Sequence, residues 1–161
     1  MSRSFGRDEE VRSAGRQSSL LRLMVDTSRA LERLLHEGLW EVGYGDVRPA
    51  HYAVFRYLKD EGSRVTELAE AAGMTKQSMG ELIVYLEERG YVERRPDPRD
   101  GRAKIVMLTE KGRRGIEAAS ERLAEIEAEL AGWMGSERLD EFIVSLANLR
   151  AILAEVEQTS P

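Results

Sequence analysis

Apolar residues recur along most of this chain at spacings of three and four, the period of an amphipathic helix. Leu20, Met24, Leu31, Leu35, Leu39 and Val42 mark one face of a first helix over residues 17–42. Gly43-Tyr44-Gly45 breaks it. Pro49 suits the first position of a second, short helix, whose apolar face is Ala50, Ala53, Val54, Tyr57 and Leu58. Asp60-Glu61-Gly62-Ser63 ends that helix. A third helix is expected over residues 66–72 and a fourth over residues 76–89. Residues 91–95 and 103–108 are short β-compatible runs. The turn-forming, charged stretch Pro96-Asp97-Pro98-Arg99-Asp100-Gly101-Arg102 between them predicts a hairpin with a long loop. Thr109 can cap a long helix lined by Ile116, Leu123, Ile126, Leu130 and Trp133. After Gly135, Ser136 can cap a last helix carrying Leu139, Phe142, Ile143, Leu146, Leu149, Ile152, Leu153 and Val156.

Within this pattern, LAEAAGMTKQSMGEL (residues 68–82) has the offsets of a helix-turn-helix. Ala69 is small where two helices cross, and Gly73 tolerates the positive φ of the turn. Leu68, Ala72, Met74, Met79 and Leu82 wedge the helices together, and Thr75 can cap the second. That second helix has Met79, Leu82, Ile83 and Leu86 on one face. Lys76, Gln77, Gly80 and Glu81 lie on the other, near the N-terminal end that enters the major groove in such proteins. Gln77 suits an adenine edge, and Lys76 a guanine or a phosphate. Glu81 can accept from a cytosine amino group, though a solvated acid is the simpler reading of it. Gly80 lets backbone approach closely. In the hairpin, Arg99 and Arg102 suit a minor groove, with Lys104 on the returning strand. Asp97 and Asp100 are expected to pair with these arginines and shape the loop.

Composition changes this picture in three ways. With 161 residues, one compact domain plus an extension is expected. No cysteine and only His36 and His51 are present, which argues against a disulfide framework, a thiol switch or a metal cluster. No cofactor is expected, and no nucleophile–base–acid set points to an enzyme. Neither a membrane-spanning run nor the apolar core of a signal peptide is present, so a cytoplasmic protein is expected, with residues 1–16 as a mobile arm. The net charge of −5 runs against nucleic-acid binding. Its distribution answers that: residues 89–114 hold nine basic side chains against Glu93, Asp97, Asp100 and Glu110, a local charge of +5.

The stretch VTELAEAAGMTKQSMGELIVYLEERGYVERRPDPRDGRAKIVMLTEKG (residues 65–112) resembles the MarR family of bacterial transcription regulators. LAEAAGMT, LEERGYVERR, DPRDGRA and LTEKG occur in the family's order and spacing. The resemblance implies a mainly α fold with a small β-hairpin wing: a winged helix-turn-helix over residues 46–108, with dimerisation helices over residues 17–45 and 109–157. It implies a homodimer on double-stranded DNA. Thr75, Lys76, Gln77 and Ser78 fall at its major-groove and phosphate contacts. Arg99 falls at the wing arginine, and Asp97 with Arg102 at its supporting charges. Glu81, Arg95, Arg102 and Lys104 complete the candidate DNA face, with Asp100 beside Asp97 as wing support. Gly80 and Glu81 depart from the family pattern, which bears on operator sequence.

Many relatives bind small aromatic or phenolic acids beside the winged domain. His36, Trp40, Tyr44, His51, Tyr52 and Phe55 are the candidates to line such a site, against the simpler reading of aromatics packed in a core. The function expected is a repressor released from a pseudo-palindromic operator by such a ligand. The alternative is a winged-helix adaptor for other proteins with little or no DNA binding, which the acidic balance and Glu81 leave open.

Overall fold

The computed structural model describes residues 19–159. The arm expected over residues 1–16 lies outside them, as do residues 17 and 18 at the expected start of the first helix. Helix α1 (Leu20–Glu41) starts at Ser19, whose hydroxyl accepts the Arg22 N–H at 3.3 Å. Its C-terminal half buries Leu35 and Leu39, while Leu20, Met24 and Val42 of the same stripe stay exposed. A 3-10 turn (Pro49–His51) then leads into α2 (Tyr52–Tyr57). Pro49 takes the first position of that turn, where its missing N–H costs nothing. Leu58 is already extended, so α2 is shorter than its apolar pattern suggests.

Helices α3 (Val65–Ala71) and α4 (Lys76–Glu88) form the helix-turn-helix. Gly73 sits at φ +62° in the turn, and the Met74 N–H reaches back to the Ala69 carbonyl at 2.8 Å. A side chain at Gly73 would be strained there. Leu68 and Ala69 of α3 share one core with Met79, Ile83 and Leu86 of α4, and with Val47, Val54, Tyr91, Val92 and Val106. Each large apolar side chain buried here stabilises by about 1.5–3 kcal/mol relative to exposure.

Strands β1 (Val92–Asp97) and β2 (Asp100–Leu108) pair antiparallel. The long loop expected between them is not there: the strands run to Asp97 and from Asp100, and only Pro98 and Arg99 turn. Pairing is regular from Val92 opposite Leu108 to Pro96 opposite Lys104. Asp97 then lies opposite Asp100, so Gly101, Arg102 and Ala103 are taken up as a bulge in β2. Pro96 is tolerated because β1 is the outer strand. On the other side of β2, Ser63 forms a bridge with Val106, with N–H···O distances of 3.1 and 2.8 Å. The segment read as a mere helix stop therefore adds a short third rung to the wing.

Helices α5 (Glu110–Met134) and α6 (Ser136–Thr159) follow. Thr109 caps α5: its hydroxyl accepts the Gly112 N–H at 3.1 Å and lies 2.5 Å from the Gly90 carbonyl oxygen. Before α6 it is Gly135, at φ +90°, whose carbonyl accepts the Leu139 N–H, so Ser136 is the first helical residue rather than the cap. By compactness the chain divides into two units at Ala118/Ala119, inside α5. The reason is local: Gly112 lies against the Tyr91 carbonyl, and Gly115 against the Tyr44 and Tyr91 rings. In the second unit Ile126 and Leu139 are buried, while Trp133, Phe142, Ile143, Ile152, Leu153 and Val156 are exposed. The fold is thus mainly α with a β-hairpin wing, a winged helix-turn-helix flanked by N- and C-terminal helices. Among the described residues no helix is long and apolar enough to cross a membrane.

Gly112 gives a test in which two effects have opposite signs. Alanine is the better helix former by about 1 kcal/mol. Its Cβ, however, would collide with the backbone carbonyl of Tyr91. Overpacking of this kind costs about 1–3 kcal/mol, so Gly112→Ala is expected to lower the urea midpoint. A raised midpoint would mean that α5 does not pass this close to Tyr91.

Candidate nucleic-acid interface

The N-terminus of α4 is built by Thr75, whose backbone is extended and whose hydroxyl accepts the Ser78 N–H at 3.1 Å. The Thr75 hydroxyl also lies 2.9 Å from Ser78 Oγ, on which it donates. Burial of Met79, Ile83 and Leu86 fixes the helix roll. The opposite face therefore turns outward, and Thr75, Lys76, Gln77, Ser78 and Glu81 are all exposed on it. Gln77 Nε2 donates to Glu81 Oε1 at 3.2 Å, so this carboxylate is partly engaged within the helix. A Cβ at Gly80 would meet nothing within 4 Å, which leaves a flat strip of backbone on the same face.

The wing carries the second group of candidates. Arg99 occupies the turn, Arg102 the bulge and Lys104 the strand beyond, and all three are exposed. No ion pair among the described residues engages these three side chains. Arg95 is different, since it pairs with Glu93 at 2.6 Å. The acids are not held as expected. Asp97 and Asp100 do not pair with the wing arginine side chains; their partner is Arg64, the residue before α3. Arg64 Nε donates to Asp97 Oδ2 at 2.7 Å, and Arg64 Nη2 lies 2.6 Å from the same oxygen and 3.6 Å from Asp100 Oδ2. The backbone N–H groups of Arg99 and Arg102 donate to Asp97 Oδ1 and Asp100 Oδ1 at 2.8 and 3.1 Å. Asp97 is buried, and its carboxyl is held below the usual carboxylate range by the Arg99 N–H and then by Arg64. Arg64 had one sequence signal, a cation where a helix cap normally carries Ser, Thr, Asp or Asn.

The aromatic candidates do not line one cavity. His36 and Trp40 stand edge to face at the end of α1, with Trp40 largely exposed and His36 Nδ1 3.1 Å from the Val47 carbonyl oxygen. A shallow hollow beside them is lined by His36, Glu37, Trp40 and Glu41. Tyr44 and Phe55 instead pack on the ring of Tyr91. His51 is buried and stacked on Tyr85 at 4.2 Å, and its Nδ1 accepts the Arg48 N–H at 2.9 Å. Tyr52 is half-buried, and its hydroxyl has no hydrogen-bond partner among the described residues. Burial and the charge of Glu32 push that hydroxyl up to about 12. Tyr85, Tyr91 and Asp46, absent from the sequence reading, form the link between these groups. The Tyr85 hydroxyl donates to the Asp46 carbonyl at 2.8 Å and the Tyr91 hydroxyl to Asp46 Oδ1 at 2.5 Å. Nothing in local spacing announces a contact across 39 or 45 residues.

The sequence model of the MarR family matches residues 46–103, the stretch that holds all of the helix-turn-helix and most of the wing. Transcriptional regulator HosA of Escherichia coli O111:H- is 32% identical over 109 residues, covering 67% of this chain and 81% of HosA. The chain belongs to the MarR family. Two solved structures of the regulator CouR extend the likeness of fold. CouR from Rhodococcus jostii RHA1 bound to p-coumaroyl-CoA has a TM-score of 0.64 at 23% identity, over 83% of this chain and 92% of its own. CouR, a transcriptional repressor, bound to a 23-mer DNA duplex has a TM-score of 0.66 at 24% identity, over 82% and 92%. This MarR-family chain is a winged-helix transcription regulator by family, and such regulators are generally not enzymes.

His51 sets a pH dependence of the folded state. Burial, and then the charges of Arg48 and Arg89, lower its pKa from 6.5, against a smaller opposing pull from Asp46. The unfolded chain therefore takes up this proton at a higher pH than the folded one. The neutral ring's contribution to stability is full above about pH 6.5 and is lost as pH falls from there through the folded-state value. A urea midpoint that drops from about pH 7.5 to about pH 5.5 is expected, with a shallower drop in His51→Asn, which accepts a hydrogen bond but cannot titrate. An equal slope in both proteins would show that His51 is not the group responsible.

Proposed function

We propose that this chain binds double-stranded DNA as a homodimer and represses transcription from a pseudo-palindromic operator. The observation that carries the reading is the pairing of two exposed features on one rigid core. The outward face of α4 offers Thr75, Lys76, Gln77, Ser78 and Glu81 to a major groove. The wing offers Arg99 and Arg102 to the adjacent minor groove, with Arg95 and Lys104 toward phosphates. Asp97 and Asp100 support the wing. CouR, whose fold is similar, has been solved on a DNA duplex.

Dimerisation is supported by apolar surface in both flanking regions. Leu20, Leu21, Leu23, Met24 and Val25 are exposed on α1, and Phe142, Ile143, Val144, Ile152, Leu153 and Val156 on α6. That is more uncovered apolar area than a soluble monomer ordinarily tolerates. Residues 17–45 and 109–157 are thus the dimerisation regions and residues 46–108 the DNA-binding domain. Two recognition helices then meet successive major grooves, roughly 34 Å apart. The protein would act in the cytoplasm.

Release by a small aromatic or phenolic ligand completes the proposal; CouR has been solved with p-coumaroyl-CoA. Of the six aromatic candidates, Tyr52 is best supported as a direct contact. Its hydroxyl stays protonated and has no hydrogen-bond partner among the described residues, so it is a donor for a ligand oxygen. Trp40 and His36, which line the hollow at the end of α1, are the other candidates for direct contact, whereas Tyr44, His51 and Phe55 pack on Tyr91 and Tyr85 and would act only through that packing. The ligand acts by binding more tightly to a dimer geometry that does not fit DNA.

Selection of bound sequences from a random duplex pool is expected to return a palindrome. Binding of that duplex should weaken steeply with salt, and Arg99→Ala or Lys76→Ala should each reduce the slope of log K against log salt by about 1. No binding to any duplex near physiological salt would favour the adaptor reading instead. With a ligand that releases DNA in hand, Tyr52→Phe should raise the ligand concentration needed by about tenfold at unchanged operator affinity. An unchanged ligand requirement would remove Tyr52 from the site.

A further inference from the structure

Arg64 lies outside the DNA-contacting face just described, yet both acids of the wing tip lead back to it. Its own backbone is fixed at both ends. Ser63, one residue before, is paired to Val106 in β2. Arg64 itself is the N-cap of α3, and its N–H donates to Glu67 Oε2 at 2.8 Å. The guanidinium extends along the hairpin to the two acids of the tip. Each acid divides its oxygens in the same way. Oδ2 of Asp97 and of Asp100 faces Arg64, and Oδ1 accepts the backbone N–H of Arg99 or Arg102. Asp97 is only 5% exposed, so its charge is compensated at the site rather than by solvent.

We propose that Arg64 is the positioning residue of the wing, locking the backbone of Arg99 and Arg102 to the first helix of the helix-turn-helix through Asp97 and Asp100. The proposal rests on the reading that the wing contacts DNA. Two effects follow from one guanidinium. The tip of a two-stranded hairpin, marginally stable on its own, is given a fixed angle relative to α3 and α4. The two carboxylates, which would otherwise repel phosphates, are held by a cation of the protein. Arg99 and Arg102 then reach DNA with their side chains free for it. A sequence of this family without a cation at this position would need another means of holding the tip.

The test uses Arg64→Met in the full-length protein, with thermal melting to establish that it is folded. In free protein, the amides of Arg99 and Arg102 should exchange with deuterium faster than in wild type, while the amides of α4 are unchanged. On the selected duplex, affinity should fall about tenfold, the equivalent of one displaced contact. Combined with Arg99→Ala and Arg102→Ala, however, Arg64→Met should add almost no further loss, because the groups it positions are gone. Arg64→Lys should restore part of the affinity through its charge. Unchanged exchange at both amides would overturn the tether, whether or not the protein binds DNA. A loss as large in the Arg99→Ala/Arg102→Ala background as in wild type would also overturn it, because Arg64 would then touch DNA itself. Failure of the wild type to bind any duplex would refute only the DNA reading, and the amide exchange would still decide the tether.

Discussion

The polar face of α4 turns outward because the centre of its other face is out of water. Met79, Ile83 and Leu86 are fully buried against α3, the segment before α2 and the wing strands. That burial fixes the roll of the helix about its axis. A helix held by one apolar stripe has one rotational setting, and an error of a single residue would swing Lys76 and Gln77 away from the exposed side. The turn at Gly73, the cap at Thr75 and the close packing of Ala69 all serve this setting.

The same core fixes what lies around it. Tyr91 is the joint of the domain. Its ring receives Tyr44 and Phe55, its hydroxyl binds Asp46, and its carbonyl lies against Gly112 and accepts the Thr109 N–H. Tyr85 on α4 adds a second hydroxyl bond to Asp46 and stacks on His51. The loop after α1, the 3-10 turn and the recognition helix thus share one hydrogen-bonded cluster.

The wing shows where local reading stops. Pro96-Asp97-Pro98-Arg99-Asp100-Gly101-Arg102 carries so many turn formers that a long loop is the natural expectation. Pairing across the hairpin extends the strands into it, and the surplus residues become a bulge. Asp97 and Asp100 were legible as structural charges, since acids beside a basic patch need partners. Their partner was not, because Arg64 is 33 residues from Asp97 in sequence and beside it only after the hairpin folds back on α3. The aromatic candidates divide for the same reason. His51 and Phe55 have the spacing of a ligand wall and the surroundings of a core, and helical spacing cannot distinguish the two.

The sequence by itself determined the helix-turn-helix, its capping and turn residues, the hairpin's place and the local excess of positive charge. Each of these depends on residues within about two turns of one another, or on side-chain period, and is written in neighbouring letters. The tertiary structure decided which groups meet across the chain. It assigned the wing's acids to Arg64, made Ser63 a third rung of the sheet, and set Tyr85 and Tyr91 on Asp46. Those contacts join residues brought together by burial of the core, a long-range consequence of many apolar side chains that no short motif encodes.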